Sequence, residues 1–153
     1  ALIQRVSHAR VSILDDTPSA DESPTRSIGR GFVILLGVGS EDTRAQEDKL
    51  WSKISKMRIF DDENGKSNLA LSDVGGQVMV VSQFTLYADC KKGNRPSFTK
   101  AGSPDTANEL YRYFVGLARK DFPVVATGEF GAHMTIDLEN DGPFTIWLDT
   151  DAL

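Results

Sequence analysis

Ser82, Gln83 and Thr85, set around Phe84 at the end of the run Gln77-Val78-Met79-Val80-Val81, are the residues here best suited to chemistry. The run before them is β-branched, apolar and uncharged, and it reads as a buried strand. Two hydroxyls and an amide closing such a strand need partners, because polar groups buried without one cost free energy. Taken alone, they fit equally well a strand that is reaching the surface.

A second feature is Gly142-Pro143, read as the tip of a hairpin. Glycine there allows backbone angles closed to other residues, and proline admits a cis bond, although local sequence alone favours an ordinary trans turn. The usual catalytic constellations are missing. The sequence holds no HxxxH or CxxC pattern, no phosphate loop and no GxSxG elbow. Cys90 and His133 have the types of a thiol nucleophile and its base, yet one cysteine in a basic loop is more often a free thiol. Asp61, Asp62 and Glu63 stand beside Asn64-Gly65 and read as a solvated turn rather than a cation site.

The elements that must position these residues follow from pattern. Leu2–Leu14 is a first strand carrying Arg5, His8 and Arg10. Asp15–Ser27, with Pro18 and Pro24, reads as an exposed loop decorating a hairpin. Gly31–Val38 is apolar throughout and predicts a strand covered on both faces. Thr43 with Gln46 forms a capping box for a helix bearing Leu50, Trp51, Ile54 and Met57. Ser103-Pro104 opens a second helix, with a stripe of Ala107, Leu110, Tyr111, Phe114, Leu117 and Ala118. Period-two alternation then predicts one strand over Met134–Glu139 and another over Phe144–Asp149, giving the order β-β-α-β-α-β-β. Two helices cannot cover both faces of this sheet, so a second sheet layer or a subunit interface is expected.

A chain of 153 residues forms one domain without staples, and 40% hydrophobic with 25% charged residues is ordinary for a globular protein. One cysteine excludes an internal disulfide. No membrane span or signal pattern is visible, so a cytoplasmic protein is expected. The formal charge of −5 argues against a generally basic nucleic-acid binder but leaves room for a local patch.

Ser82-Gln83-Phe84-Thr85-Leu86 together with Asn140-Asp141-Gly142-Pro143-Phe144-Thr145 resembles the D-aminoacyl-tRNA deacylases. The resemblance extends to Ile3-Gln4-Arg5-Val6, Leu35-Leu36-Gly37-Val38, Arg58-Ile59-Phe60 and Arg95-Pro96-Ser97-Phe98, in order along the chain. It implies a single three-layer β/β/α domain over residues 1–153, working as a homodimer without cofactor or metal. It also implies hydrolysis of the ester between a D-amino acid and the terminal adenosine of tRNA. By the same resemblance, Gly142-Pro143 of one subunit is a cis peptide reaching the Ser82–Leu86 pocket of the other. Its carbonyls take the D-amino group and exclude an L side chain. Arg5 steadies that motif, and Phe130 and Met134 line an adenine pocket. The family's usual turn is shorter than Asp15–Ser27, whose role stays unassigned.

The chemistry fits this sparse set. An aminoacyl ester is already activated, so a positioned water and an oxyanion held by the Phe84 and Thr85 amides suffice. Thr85 could attack covalently, but the motif has no base to activate it. Gln83 and Thr85 are therefore expected to orient, with the 2′-hydroxyl of the tRNA's own terminal ribose helping to activate water. Lys91, Lys92, Arg95 and Lys100 form a basic loop placed against the acceptor-stem backbone, although spacing alone also fits a solvated loop. Two alternatives keep the fold. One is an editing module for misacylated L-aminoacyl-tRNA, and the other is a nucleic-acid-binding dimer without catalysis.

Overall fold

The computed structural model describes residues 1–14 and 26–153. The expectation for Asp15–Ser27 falls almost wholly outside the described residues. Both helices start where their caps predict. Thr43 caps α1 (Arg44–Ile54) in a reciprocal box with Gln46, and Ser103 caps α2 (Pro104–Asp121) with proline in the first turn. An N-cap of this kind contributes about 1 kcal/mol. Trp51 locks the two helices together. Its ring meets Phe114 and Phe122 edge-on at 5.4 and 5.9 Å, and its Nε1 donates to Asp121 at 2.8 Å.

The strands are β1 (Leu2–Ile13), β2 (Ser27–Ile28), β3 (Gly31–Leu36), β4 (Phe60–Asp61), β5 (Ser67–Leu69), β6 (Gln77–Ser82), β7 (Val125–Thr127) and β8 (Met134–Trp147). β4 and β5 make the small hairpin around Asn64-Gly65, with Gly65 at φ 71°. The main sheet runs β1-β3-β6-β7, with β2 continuing β3 along β1 and β8 on the other side of β1. β3, β6 and β7 are parallel, so Leu36, Ser82 and Thr127 end on the same side. Gly31 marks the tightest crossing, since a Cβ there would lie 1.8 Å from the Gln77 carbonyl oxygen. β8 is an edge strand among the described residues, and Trp147 on it is 53% exposed.

The expected hairpin at Gly142-Pro143 is absent. Both alternating segments belong to one strand, β8, which runs antiparallel to β1 along its whole length. Gln4 pairs with Thr145 and Val6 with Asn140, so Asp141–Phe144 bulge out opposite the single residue Arg5. A second irregularity leaves Ser7 opposite the step from Asn140 to Glu139. A one-residue slip turns side chains to the other face. Val6 is thus followed by Ala9 and Val11 on the same face, whereas Ile3 points to the helices.

These bulges bend the β1–β8 pair, as bulges do, and supply the expected second layer. Val6, Ala9, Val11 and Ile28 pack on Val33, Met79, Val81 and Ala126, a core with no helical residue among those described. The opposite face packs Phe32, Ile34, Leu36, Val78 and Val80 against Leu50, Trp51, Ile54 and Phe114. The result is the three-layer β/β/α arrangement, with two helices on one face. Among the described residues no helix is long and apolar enough to cross a membrane.

One buried group departs from the apolar rule. Glu47, on α1, is 2% exposed, and its Oε2 has no hydrogen-bond partner. Burial, then the neighbouring Asp42 carboxylate, pushes its pKa up to about 8. The folded protein therefore holds this proton more tightly than the unfolded chain does. The associated stability is complete below about pH 4.5 and is lost as pH rises to about 8. Glu47→Gln is expected to flatten that loss, gaining up to a few kcal/mol over the wild type by pH 9. Thermal unfolding of both across this range checks it, and a pH-independent difference would refute it.

Candidate active site

The parallel strands β3 and β6 deliver Leu36 and Ser82 side by side at their carboxyl ends, the usual place for a ligand in a sheet of this kind. Gln83 leaves the strand with its N–H donating to the Leu36 carbonyl at 2.7 Å. Phe84–Tyr87 then form a 3-10 turn, whose first internal bond runs from the Leu86 N–H to the Gln83 carbonyl, 3.3 Å. The amides of Phe84 and Thr85 precede that bond, so the turn contains no carbonyl for them. Gly37 makes room behind it, because a Cβ there would lie 3.1 Å from the Tyr87 ring and 3.3 Å from the Gln83 carbonyl oxygen.

Around these amides the side chains are sparse. Gln83 Nε2 donates to Thr85 Oγ1. Thr85 is exposed, and Phe84 is 56% exposed with its ring edge-on to Phe98 at 5.0 Å. Ser82 is half-buried at the end of β6. The Phe84–Phe98 contact ties in the loop that carries Lys91, Lys92 and Arg95. Its stem closes by Asp89 and Ser97 exchanging backbone bonds of 2.8 and 2.9 Å. All four basic residues, Lys100 included, are exposed. So is Cys90.

Arg5 organises the second motif. It is only 7% exposed, and its Nε donates to the Asp141 carbonyl at 2.9 Å. Its Nη1 donates to the Ile59 carbonyl at 2.6 Å, and the guanidinium lies 4.8 Å from the Phe144 ring centre. The Asp61 and Asp141 carboxylates stand farther off, at 4.0 and 3.9 Å, and are half exposed, so the two carbonyls are the stronger partners. Gly142 has φ 141°, and a Cβ there would lie 2.9 Å from the Phe144 nitrogen, so glycine is required. The Gly142–Pro143 peptide is cis. Asn140, which sequence reasoning did not single out as a site residue, clamps the bulge. Its Oδ1 accepts from the Phe144 N–H at 2.6 Å, and its Nδ2 donates to Thr145 at 2.9 Å.

Within one chain, no hydrogen bond or ion pair joins this bulge to Ser82–Leu86 among the described residues. Phe130 and Met134 come close to the strand ends. Gly128, between them and β6, donates to the Val80 carbonyl at 3.2 Å, and Met134 Sδ lies 3.2 Å from the Glu129 nitrogen. Phe130 is half-buried beside Tyr111, whose hydroxyl donates to the same Val80 carbonyl at 3.0 Å.

Two hollows flank the strand ends. One, of about 620 Å³, lies between Leu86–Lys91 and Trp147–Asp151, with Asp42, Glu47 and Asp149 among its polar groups. Lys91 and Lys100 line it as well. Burial and Asp42 push the Tyr87 hydroxyl, which faces it, up to about 12. The other, of about 450 Å³, lies along α2 and reaches Gly128 and Phe130. No cluster of metal-binding side chains occurs among the described residues.

The family model for D-Tyr-tRNA(Tyr) deacylase matches residues 2–149 of this chain. A D-aminoacyl-tRNA deacylase of Lacticaseibacillus casei is 51% identical over 152 residues, covering 99% of this chain and 98% of the relative. One from Thermotoga petrophila is 48% identical over 153 residues, covering 100% and 98%. Among solved structures, one titled c-Myc DNA Unwinding Element Binding Protein superimposes with TM-score 0.84 at 36% identity, covering 97% of this chain and 96% of that one. A probable eukaryotic D-amino acid tRNA deacylase gives 0.75 at 17% identity, covering 95% of both, and shares the fold.

Proposed function

Because the chain belongs to the D-Tyr-tRNA(Tyr) deacylase family, we propose that Ser82–Leu86 is the reacting centre and the 141–144 bulge its stereochemical filter. The protein is a hydrolase acting on ester bonds, a D-aminoacyl-tRNA deacylase. The observation that carries the assignment of the centre is the pair of Phe84 and Thr85 amides at the open end of the 3-10 turn. Two N–H groups without carbonyl partners in the turn form an oxyanion site beside the carboxyl ends of the parallel strands.

Water is the nucleophile. A hydroxyl that attacks needs an acceptor for its proton, and Thr85 Oγ1 instead receives a hydrogen bond from Gln83. Thr85 and Gln83 orient the ester and the water, and the 2′-hydroxyl of the terminal ribose assists the proton transfer. Ser82 and Phe84 shape the floor, and Phe130 and Met134 take the adenine. Thr85→Ala is expected to keep kcat within about tenfold of the wild type, the scale of one neutral hydrogen bond. Single-turnover deacylation measures this. Complete loss in a folded variant, with an acyl-enzyme trapped in the wild type, would overturn it.

The filter works across two subunits. In one chain the bulge and the turn share no bond, and the free edge of β8 with exposed Trp147 and Phe84 supports association of a second copy. Gly142 and Pro143 then face the partner's turn, held by Arg5 and Asn140. A backbone wall rejects an L side chain by overlap, which discriminates more strongly than one added contact. Glycine has no side chain to reject, so glycyl-tRNA is also hydrolysed. Lys91, Lys92, Arg95 and Lys100 take the acceptor-stem backbone. The DNA-binding title of one structural relative keeps a non-catalytic reading in view, and turnover of D-aminoacyl-tRNA separates the two.

A further inference from the structure

The groove along α2 combines two chemistries. The half-buried Phe130 ring, backed by the buried Tyr111 ring 6.1 Å away, makes an aromatic wall at its Gly128 end. Asn108, Arg112 and Arg119 line the other side, at helix spacings that keep them on one flank. Arg112 and Arg119 are separated by roughly 10 Å along the axis. Arg112 is exposed and takes part in no ion pair among the described residues. The acid of the groove, Glu129, is answered by Arg26 at 3.5 Å. The hollow is therefore cationic on a chain whose formal charge is −5. Asn108 adds a buried Oδ1 without a hydrogen-bond partner. The Gly128 N–H and the Tyr111 hydroxyl both donate to the Val80 carbonyl and fasten this end of the groove to the strand that ends at Ser82.

An exposed arginine on a helix is commonly a solvated charge. Here the arginines line a hollow together with an aromatic wall and the Asn108 side chain. Single-stranded RNA ends are held by such combinations: stacking on rings, forked N–H donors to phosphate, and polar contacts to the 2′-hydroxyl. We propose that this groove holds the ribose-phosphate backbone just before the terminal adenosine. Arg112 and Arg119 face the phosphates. The inference rests on the reading of Ser82–Leu86 as the reacting centre. It gives α2 the single-stranded end and leaves the duplex to the Lys91–Lys100 loop.

The test compares the wild type and Arg112→Gln on D-tyrosyl-tRNA over roughly 50 to 200 mM salt. The variant should raise KM about tenfold with kcat unchanged, the scale of one hydrogen bond to a charged group. The slope of log(kcat/KM) against log salt should shrink by about 0.7, the value for one single-strand phosphate that is no longer neutralised. Arg112→Lys, which keeps the charge, should restore most of the slope. An unchanged slope, or a fall in kcat alone, would overturn the assignment. Wild-type hydrolysis of D-tyrosyl adenosine, which has no phosphate, reads the reaction by itself. If the wild type cleaves neither substrate, the functional reading fails and this inference with it.

Discussion

Phe84→Pro is expected to lower kcat by about 10²–10³-fold below Phe84→Ala, because one oxyanion donor is worth that much. The two variants lack the same ring and its packing on Phe98, 5.0 Å away. They differ in one N–H. Proline suits this position, which opens a 3-10 turn and whose amide the turn does not use. Gln83 before it has φ −144° and ψ 78°, outside the helical region that a following proline disfavours. The backbone should therefore persist in both variants, and circular dichroism with thermal unfolding verifies that. If the two are equally impaired, the Phe84 amide is not an oxyanion donor.

The second large effect concerns Arg5. Arg5→Ala removes two charge-assisted bonds, to the carbonyls of Ile59 and Asp141, from a side chain that is 7% exposed. A loss of about 3–5 kcal/mol in stability is expected. Arg5→Lys is the more informative change. It keeps the charge over Phe144 but cannot donate in two fixed directions. The bulge then loses its anchor while the core stays filled. We expect kcat/KM on D-tyrosyl-tRNA to fall about 10–100-fold, as a displacement near 1 Å produces, with most of the thermal stability retained. A lysine variant as active as the wild type would show that Arg5 serves the fold alone.

Much of this architecture is written locally. The Thr43–Gln46 box, the Ser103-Pro104 start, the Asn64-Gly65 turn and the apolar strands of the sheet each announce themselves within a few residues. The central strand and its polar end are likewise legible, because hydroxyls and an amide closing a buried run are out of place. The missing hairpin at Gly142-Pro143 has a physical cause. Alternation shows which face a residue takes, not which neighbour its strand pairs with. Met134–Glu139 and Phe144–Asp149 therefore look like two arms of a hairpin, although β8 takes in both as far as Trp147 and both pair with β1. Four residues opposite Arg5 leave no trace in the period.

The site is legible in types and less so in placement. Arg5 stands out only through the family resemblance, since an arginine in an apolar strand does not reveal which carbonyls it meets. Asn140 is hidden in a turn-like Asn-Asp-Gly-Pro segment, where its amide explains itself locally. Asn108, Arg112 and Arg119 carry no sequence signal at all, because charged residues on the solvent side of an amphipathic helix are the rule. Only the groove beside Phe130 sets them apart.

Stereochemistry bears most directly on a filter made of backbone. Purified protein should be given D-tyrosyl-tRNA, L-tyrosyl-tRNA and glycyl-tRNA in parallel. The predicted result is rapid loss of the D ester, measurable loss of the glycyl ester, and an L ester that decays no faster than without protein. Hydrolysis of the L ester at a rate like that of the D ester would contradict a backbone filter built around Gly142 and Pro143.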